Sequence, residues 1–213
     1  MAYFDEMALD ELLRQEGHAC ACGREHKTGL QFLRIGSGVI DAVPEALAFL
    51  GRRKPFLVAD ANTWKAAGQQ VAAILEEHQI PYGKYVFPES RGHIEPDESA
   101  VGSLTMHFDP TCDIALAVGS GVMNDCCRVL AHAAGIGHMV VGTAPSMDGY
   151  ASNSSSMIVD RIKTSLYACC PQAIIADIDI MKEAPMRMLW AGLGDVLAKY
   201  NSLCEWRISH IAT

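Results

Sequence analysis

The chain contains 213 residues, of which 50% are hydrophobic and 20% are charged, proportions typical of a soluble globular protein with a sizeable core. Its formal net charge is -8 and its lysines and arginines form no cluster, which argues against nucleic acid or an anionic membrane surface as a partner. No apolar run is long enough to span a bilayer, and the N-terminus lacks a signal-peptide pattern. We therefore expect a cytoplasmic protein without membrane insertion.

The sequence has eight cysteines, and four of them form the adjacent pairs Cys126–Cys127 and Cys169–Cys170. Neighbouring side chains on a helix or strand point in different directions, so these pairs have poor disulfide geometry. Together with the missing signal peptide, this predicts reduced thiols.

Taken in chain order, the first part of the sequence predicts alternating strands and helices. A short amphipathic helix opens the chain, and a hairpin follows with a strand at about 30–35. The next elements are a helix at 41–51, a strand at 54–60, a helix at 61–80, a strand at 84–90, a helix that opens at Pro96, a strand at 113–118, a helix from about Asn124 to Gly135 and a strand from His138. The buried stripe of the helix at 61–80 consists of Ala67, Val71, Ile74 and Leu75.

This alternation predicts an α/β fold in which a Rossmann-like parallel sheet carries helices on both faces. The order changes at 156–177, where two or three successive strands predict a hairpin excursion and a return to the sheet. The segment from Met181 onwards predicts helix, broken at Ala191–Gly194. We predict an α/β domain over residues 1–182 and the start of an all-helical second domain over 183–213.

The strongest local signal is an apolar strand that runs into Gly119, Ser120 and Gly121 before a helix. Glycines allow a diphosphate to approach the backbone closely, and the unpaired amides of a helix N-terminus attract the anion. The alternative is an ordinary tight turn, because position 124 is Asn and the spacing is not that of the G-x-G-x-x-G fingerprint.

Three acidic residues each have a ligand-binding and a local structural interpretation. Asp60 ends a strand, where it could bind an adenosine ribose or cap a helix that starts at Thr63. Asp148 lies in a hydroxyl-rich loop after a strand, where it could bind a ligand or serve as a turn residue. Asp195 follows Gly194 in an apolar stretch, where it could bind a metal ion or cap the next helix.

Four segments in order, GSGVMND, GTAPSMDGYAS, PQAIIADIDIMKEAP and AGLGDVLAKYNSLCEWRISH, resemble the sn-glycerol-1-phosphate dehydrogenase family. That family is similar to glycerol dehydrogenase and dehydroquinate synthase, within the iron-containing alcohol dehydrogenase superfamily. The resemblance implies a dinucleotide-binding domain over 1–182, a helical metal and substrate domain from 183, and an active site in the cleft between them. It also implies that NADH or NADPH reduces dihydroxyacetone phosphate to sn-glycerol 1-phosphate, for phospholipid biosynthesis, in a homo-oligomer.

The resemblance also implies roles for individual residues. Asp148 matches the acid near the nicotinamide and substrate, and Asp195 matches the first ligand of a divalent metal, usually zinc. The cofactor-binding positions that match are Asp60, Gly119, Ser120, Gly121, Asp125, Thr143, Ser146 and Ser152. A metal bound to the substrate oxygen would polarise the carbonyl, and the nicotinamide would supply the hydride.

The family completes its metal site with two histidines from the helical domain, and this sequence ends before them; His210 matches neither. We therefore expect an incomplete metal site and an activity that this chain alone does not support. Two alternatives stay open, a glycerol dehydrogenase-like enzyme and a non-catalytic nucleotide-binding or interaction module. Under the latter, the last helix leaves an apolar patch exposed, formed by Leu189, Trp190, Leu193, Leu197 and Leu203.

Near the N-terminus, His18, Cys20, Cys22 and His26 lie within nine residues. They could form a small zinc site or pack without a ligand, and the C-x-C spacing favours packing.

Overall fold

The computed structural model describes residues 7–13, 17–19 and 23–212. The strands are β1 (His18–Ala19), β2 (Glu25–His26), β3 (Phe32–Gly36), β4 (Pro55–Asp60), β5 (Gly83–Phe87), β6 (Ile114–Gly119), β7 (Gly137–Gly142), β8 (Ser154–Val159), β9 (Ile162–Tyr167) and β10 (Ala173–Asp177). The α-helices are α1 (Leu9–Leu12), α2 (Val43–Phe49), α3 (Ala61–Thr63), α4 (Gln69–Glu77), α5 (Glu98–His107), α6 (Gly121–Ala134), α7 (Ile178–Met181) and α8 (Met186–Ala212). A π-helical turn, Trp64–Gly68, joins α3 to α4.

Six strands form one parallel sheet in the order β3-β10-β7-β6-β4-β5. Every residue of β6 and β7 is buried, as expected for central strands of a sheet that is covered on both faces. The predicted Rossmann-like parallel sheet is therefore confirmed.

Helices cover both faces of this sheet, and each face has its own apolar core. On one face, Leu47 of α2 and Leu75 of α4 pack with Leu116 of β6. On the other face, Leu104 of α5 and Cys127 of α6 pack in a second cluster. The stripe predicted for the helix at 61–80 is buried at all four positions, namely Ala67, Val71, Ile74 and Leu75.

The predicted hairpin excursion after β7 is also present. Strands β8 and β9 pair antiparallel outside the main sheet, and β10 then returns to it between β3 and β7. The chain changes from this α/β arrangement to the long helix α8 between Met181 and Met186, while the division into domains at 182 and 183 stays a prediction.

Two boundaries differ from those expected from the glycines. Helix α6 begins at Gly121, three residues before Asn124, and Gly135 ends it with a left-handed backbone. Helix α8 runs without a break through Ala191–Gly194. Asp195 therefore lies inside a helix, and the expectation that it caps one is wrong. A glycine lowers helix propensity by only about 1 kcal/mol, which packing can offset.

None of the helices in the described part of the chain combines the length and apolar character that a bilayer crossing requires. The six cysteines in the described part of the chain are free thiols, and the adjacent pairs Cys126–Cys127 and Cys169–Cys170 form no disulfide. Cys20 and Cys22 of the N-terminal cluster lie outside the described residues.

Candidate functional site

A cleft of about 670 Å³ opens at the carboxyl edge of the parallel sheet. Its walls include Asp60 at the end of β4, Ser120 after β6 and Thr143 after β7. In the sheet, β5 lies on one side of β4 and β6 lies on the other side. The direction in which successive strands are added therefore reverses between β4 and β6. Ligands of open α/β sheets bind at such a switch point.

The glycine turn brings the N-terminus of α6 into this cleft. A Cβ at Gly119 would lie 2.6 Å from Cγ of Met123, so the tight entry into the helix requires glycine there. Ser120 is the N-cap, and its side chain makes no capping hydrogen bond. The first-turn amides of α6 therefore remain available to an anion, which the helix dipole also favours.

Asp60 caps the short helix α3 and borders the cleft at the same time. Its Oδ1 accepts hydrogen bonds from the amides of Asn62 and Thr63, both at 2.8 Å, and its own amide donates to Thr63 Oγ1 at 2.9 Å. The capped helix starts at Ala61, two residues earlier than expected. The two interpretations of Asp60 are thus compatible, because the cap uses a single carboxylate oxygen.

The three predicted hydroxyl residues occupy different places. Thr143 is buried in the cleft wall, and its amide donates to the carbonyl of Gly119 at 3.1 Å. Ser146 and Ser152 do not line the cleft. The Oγ of Ser152 accepts from the amide of Ser154 at 3.0 Å, a local turn contact.

Asp125 faces away from the cleft, towards the β8–β9 hairpin. Its Oδ1 lies 3.1 Å from Nη1 of the buried Arg128, and its Oδ2 accepts from the amide of Ser156 at 3.3 Å. Burial raises the pKa of this carboxyl, against the opposing effect of Arg128. Because α6 begins at Gly121, Asp125 lies one turn into the helix, and its contacts support an anchoring role.

Asp148 and Asp195 are brought together where α8 crosses the loop after β7. Oδ2 of Asp195 accepts from the amide of Asp148 at 2.9 Å. Nζ of Lys199, one turn further along α8, lies 2.6 Å from Oδ2 of Asp148. This hydrogen-bonded ammonium holds the pKa of the Asp148 carboxyl below its usual range.

The donor set around Asp195 does not fit a zinc site. Over residues 7–13, 17–19 and 23–212, no three His, Cys, Asp or Glu side chains are grouped for a metal ion. A catalytic zinc requires three protein ligands, and here Lys199 places a positive charge against the Asp148 carboxylate. The described residues thus supply one candidate ligand and no site.

Several cleft residues were missed at the sequence level, because they come from turns, from α7 and α8 and from the segment between these two helices, and no local pattern assigned them a role. They are Glu89, His93, Asp179, Glu183 and Arg187. Glu89 had one usable signal, since it lies two residues beyond the end of a strand, β5.

A family model described as iron-containing alcohol dehydrogenase matches residues 34–185, which include every strand of the six-stranded sheet except the first two residues of β3. The chain belongs to the iron-containing alcohol dehydrogenase family. The predicted resemblance is thereby confirmed at the level of the superfamily.

Curated relatives in this family are named glycerol-1-phosphate dehydrogenase (NAD(P)+). The protein of Halalkalibacterium halodurans is 34% identical over 208 residues, which cover 95% of this chain and 52% of the relative. The protein of Bacillus subtilis is 32% identical over 180 residues, 84% of this chain and 46% of the relative. The chain therefore spans about half the length of the curated relatives it matches.

Two solved structures share the fold. Glycerol dehydrogenase from Schizosaccharomyces pombe superimposes with a TM-score of 0.64 at 21% identity, covering 79% of this chain and 42% of the other. A 2-deoxy-scyllo-inosose synthase solved with carbaglucose-6-phosphate, NAD+ and Co2+ gives 0.61 at 20% identity, covering 76% and 46%. At these identities the likeness carries the fold alone.

Proposed function

We propose that the cleft binds a nicotinamide dinucleotide, with the diphosphate at the N-terminus of α6. The observation that carries this proposal is the uncapped α6 N-terminus at the switch point of the sheet. Gly119, Ser120 and Gly121 would surround the diphosphate, and Asp60 would accept a hydrogen bond from the adenosine ribose. Thr143, which follows β7, would border the cofactor. Ser146, Ser152 and Asp125 do not line the cleft, so a contact with the cofactor stays a prediction for them.

We further propose that the protein takes part in hydride transfer between dihydroxyacetone phosphate and sn-glycerol 1-phosphate, which is supported by the relatives named glycerol-1-phosphate dehydrogenase. The nicotinamide, when bound, supplies or accepts the hydride. Asp148 would lie on the substrate side, with its orientation fixed by Lys199 and by the carboxylate of Asp195. Zinc coordination by Asp195 would need ligands other than the described residues. It stays a prediction, as do a cytoplasmic location and a role in phospholipid biosynthesis.

A titration with NADH and NADPH, followed by fluorescence or calorimetry, tests the cofactor proposal. A Cβ at Gly121 would lie 3.4 Å from Sδ of Met147, so the larger side chain of Gly121→Val would crowd the turn at the helix N-terminus. The matched control is Gly102→Val in α5, where a Cβ meets nothing within 4 Å. We expect wild type and Gly102→Val to bind and Gly121→Val to lose at least about tenfold in affinity. A folded wild type that binds neither cofactor would disprove the proposal.

A second candidate is a cofactor-binding module without turnover. The absence of a three-ligand metal group among the described residues favours it. Incubation with NAD+ and sn-glycerol 1-phosphate, with and without added Zn2+, separates the two, because only the enzyme produces NADH. Glycerol in place of its phosphate tests the glycerol dehydrogenase alternative.

We also propose that the chain forms a homo-oligomer. Helix α8 exposes large apolar side chains that water disfavours, including Trp190 (66% exposed), Leu193 (60%) and Trp206 (75%). The exposure expected for Trp190, Leu193, Leu197 and Leu203 is present, whereas Leu189 is half-buried. Light scattering coupled to size exclusion should give a mass above the 23.0 kDa of one chain. A monomer at that mass would contradict the proposal.

A further inference from the structure

The side chain of Tyr150 joins the loop after β7 to the glycine turn. Its hydroxyl lies 2.7 Å from the carbonyl oxygen of Ala144 and 3.4 Å from that of Gly119. Ala144 belongs to the cleft wall, and Gly119 ends β6 at the start of the turn. A hydroxyl has one proton to donate, so the shorter contact to Ala144 is the main hydrogen bond and the contact to Gly119 is a weaker second one. Tyr150 itself does not line the cleft, so it supports the cleft wall without forming part of it.

The ring and the backbone of Tyr150 are both held in place. A Cβ at Gly142 would lie 3.3 Å from Cζ of Tyr150, so a glycine at the end of β7 lets the ring approach the backbone this closely. Nη2 of Arg128 donates to the carbonyl oxygen of Tyr150 at 3.2 Å. Burial raises the pKa of the Tyr150 hydroxyl above its usual range, so the hydroxyl keeps its proton and remains a donor.

Asp148 lies two residues before Tyr150 in the same loop. Oδ2 of Asp195 accepts from its amide, and Lys199 pairs with its carboxylate, so α8 holds one side of the loop. The Tyr150 hydroxyl connects the other side of the loop to the glycine turn. The acid and the turn are thus linked through one tyrosine.

We infer that Tyr150 is a positioning residue, through which a diphosphate bound at the glycine turn stabilises the conformation of Asp148. A ligand that orders the turn also orders the carbonyl of Gly119, and Tyr150 connects this carbonyl to the loop. Coupling between two sites is reciprocal, so an ordered loop also favours the bound diphosphate. The inference rests on the proposed function, because it requires the diphosphate at the N-terminus of α6.

Amide hydrogen exchange at Asp148, measured with and without ADP-ribose, tests the inference. ADP-ribose carries the diphosphate and no nicotinamide, so the nicotinamide ring cannot shield the amide. Tyr150→Phe removes the hydroxyl and keeps the ring beside Gly142, and Tyr150→Met is a second variant, whose flexible side chain fills the space without a hydroxyl. The matched control is Tyr82→Phe, because the Tyr82 hydroxyl donates to Glu76 at 2.8 Å and Tyr82 does not line the cleft.

We expect saturating ADP-ribose to slow exchange of the Asp148 amide at least about threefold in wild type and in Tyr82→Phe. In both Tyr150 variants the amide should exchange at the same rate with and without bound ADP-ribose. Their affinity for ADP-ribose should be lower by a similar factor, because the coupling is reciprocal. A merely structural role of Tyr150 would change the exchange rate of the free protein and leave the effect of ADP-ribose intact.

An unchanged rate in wild type with ADP-ribose bound, or equal slowing in the folded Tyr150 variants, would overturn the inference while the proposed function stands. Loss of the fold in both variants would assign the hydroxyl a structural role and would also overturn it. Binding of NADH without binding of ADP-ribose would do the same, because the inference requires the diphosphate to act at the turn. If folded wild type binds neither molecule, the proposed function fails and the inference fails with it.

Discussion

Nζ of Lys199 lies 2.6 Å from Oδ2 of Asp148, and this ion pair joins helix α8 to the loop that follows β7. Asp195 lies one turn earlier on α8, and its Oδ2 accepts a hydrogen bond from the amide of the same Asp148 at 2.9 Å. Two successive turns of one helix therefore hold both the backbone and the side chain of Asp148. Helix α8 therefore fixes the conformation of this loop at Asp148.

Gly192 allows α8 to approach the loop this closely. A Cβ at position 192 would lie 1.9 Å from the carbonyl oxygen of Pro145, which is backbone and cannot rotate away. We expect Gly192→Ala to destabilise the protein by about 1–3 kcal/mol, the usual cost of overpacking. The control is Gly194→Ala, where a Cβ meets nothing within 4 Å and helix propensity predicts a gain of up to about 1 kcal/mol. Urea unfolding measures both, and equal stability of the two variants would contradict the close approach.

Asp195 acts on the loop as a hydrogen-bond acceptor, which amide hydrogen exchange can test. Asp195→Leu removes the acceptor for the Asp148 amide, so that amide should exchange faster by about tenfold. Asp195→Asn keeps an oxygen in a side chain of the same shape and should exchange close to the wild-type rate. Fast exchange in both variants would mean that the charge of Asp195, and not its acceptor oxygen, holds the amide.

The sheet could be predicted from the sequence because each central strand is a continuous apolar run, as in the fully buried β6 and β7. The glycines were less informative, because the low helix propensity of glycine describes an isolated chain. At Gly121 this propensity suggested a longer turn, although helix α6 begins there. At Gly192 it suggested a break in the helix, although the missing side chain allows α8 to pack on Pro145. Tertiary contacts decided both cases.

The candidate site was predictable only in part. Asp60 ends a strand, Ser120 and Thr143 follow strands, and parallel strands bring their carboxyl ends to one edge, so these residues meet in the cleft. Asp125 lies on the helix that starts at the glycine turn, and the sequence does not reveal that Arg128 and the hairpin turn it away. Arg187 enters the cleft from a helix distant in sequence, which no local pattern indicates.

We predict that the buried His138 makes the free energy of unfolding depend on pH. Its ring is buried in β7, with Nε2 2.9 Å from Oδ1 of Asn124, and burial lowers its pKa from 6.5 to about 3, with a further contribution from Arg128. Above pH 6.5 the ring is neutral in the folded and in the unfolded chain, so its protonation does not reduce stability there. Between pH 6.5 and 3 the unfolded chain takes up a proton that the folded chain does not, so stability falls by up to about 1.4 kcal/mol per pH unit.

His138→Gln should remove this part of the slope, because glutamine does not titrate. Urea unfolding at several pH values between 7 and 4 measures the difference between wild type and variant. The exposed His132 on α6 provides the control, and His132→Gln should keep the wild-type slope. Parallel pH profiles for wild type and His138→Gln would show that the ring is not held neutral.

We expect the replacement of Arg128 to cause the largest loss of stability. Its fully buried guanidinium holds α6, the loop after β7 and the β8–β9 hairpin together. It pairs with Asp125 and donates to the carbonyl oxygens of Gly149 and Tyr150 at 3.3 and 3.2 Å and to that of Ser154. Arg128→Met leaves the largely buried Asp125 carboxylate without its cationic partner and should cost about 3–5 kcal/mol in urea unfolding.

The double variant Arg128→Met/Asp125→Asn should recover part of that loss, since it leaves no buried charge without a partner. The control is the exposed pair Arg34–Glu45 at 2.7 Å, where Arg34→Met should cost less than about 1 kcal/mol. If Arg128→Met costs no more than Arg34→Met, the guanidinium does not anchor the hairpin. If Asp125→Asn alone lowers NADH affinity while unfolding is unchanged, Asp125 acts at the cofactor after all.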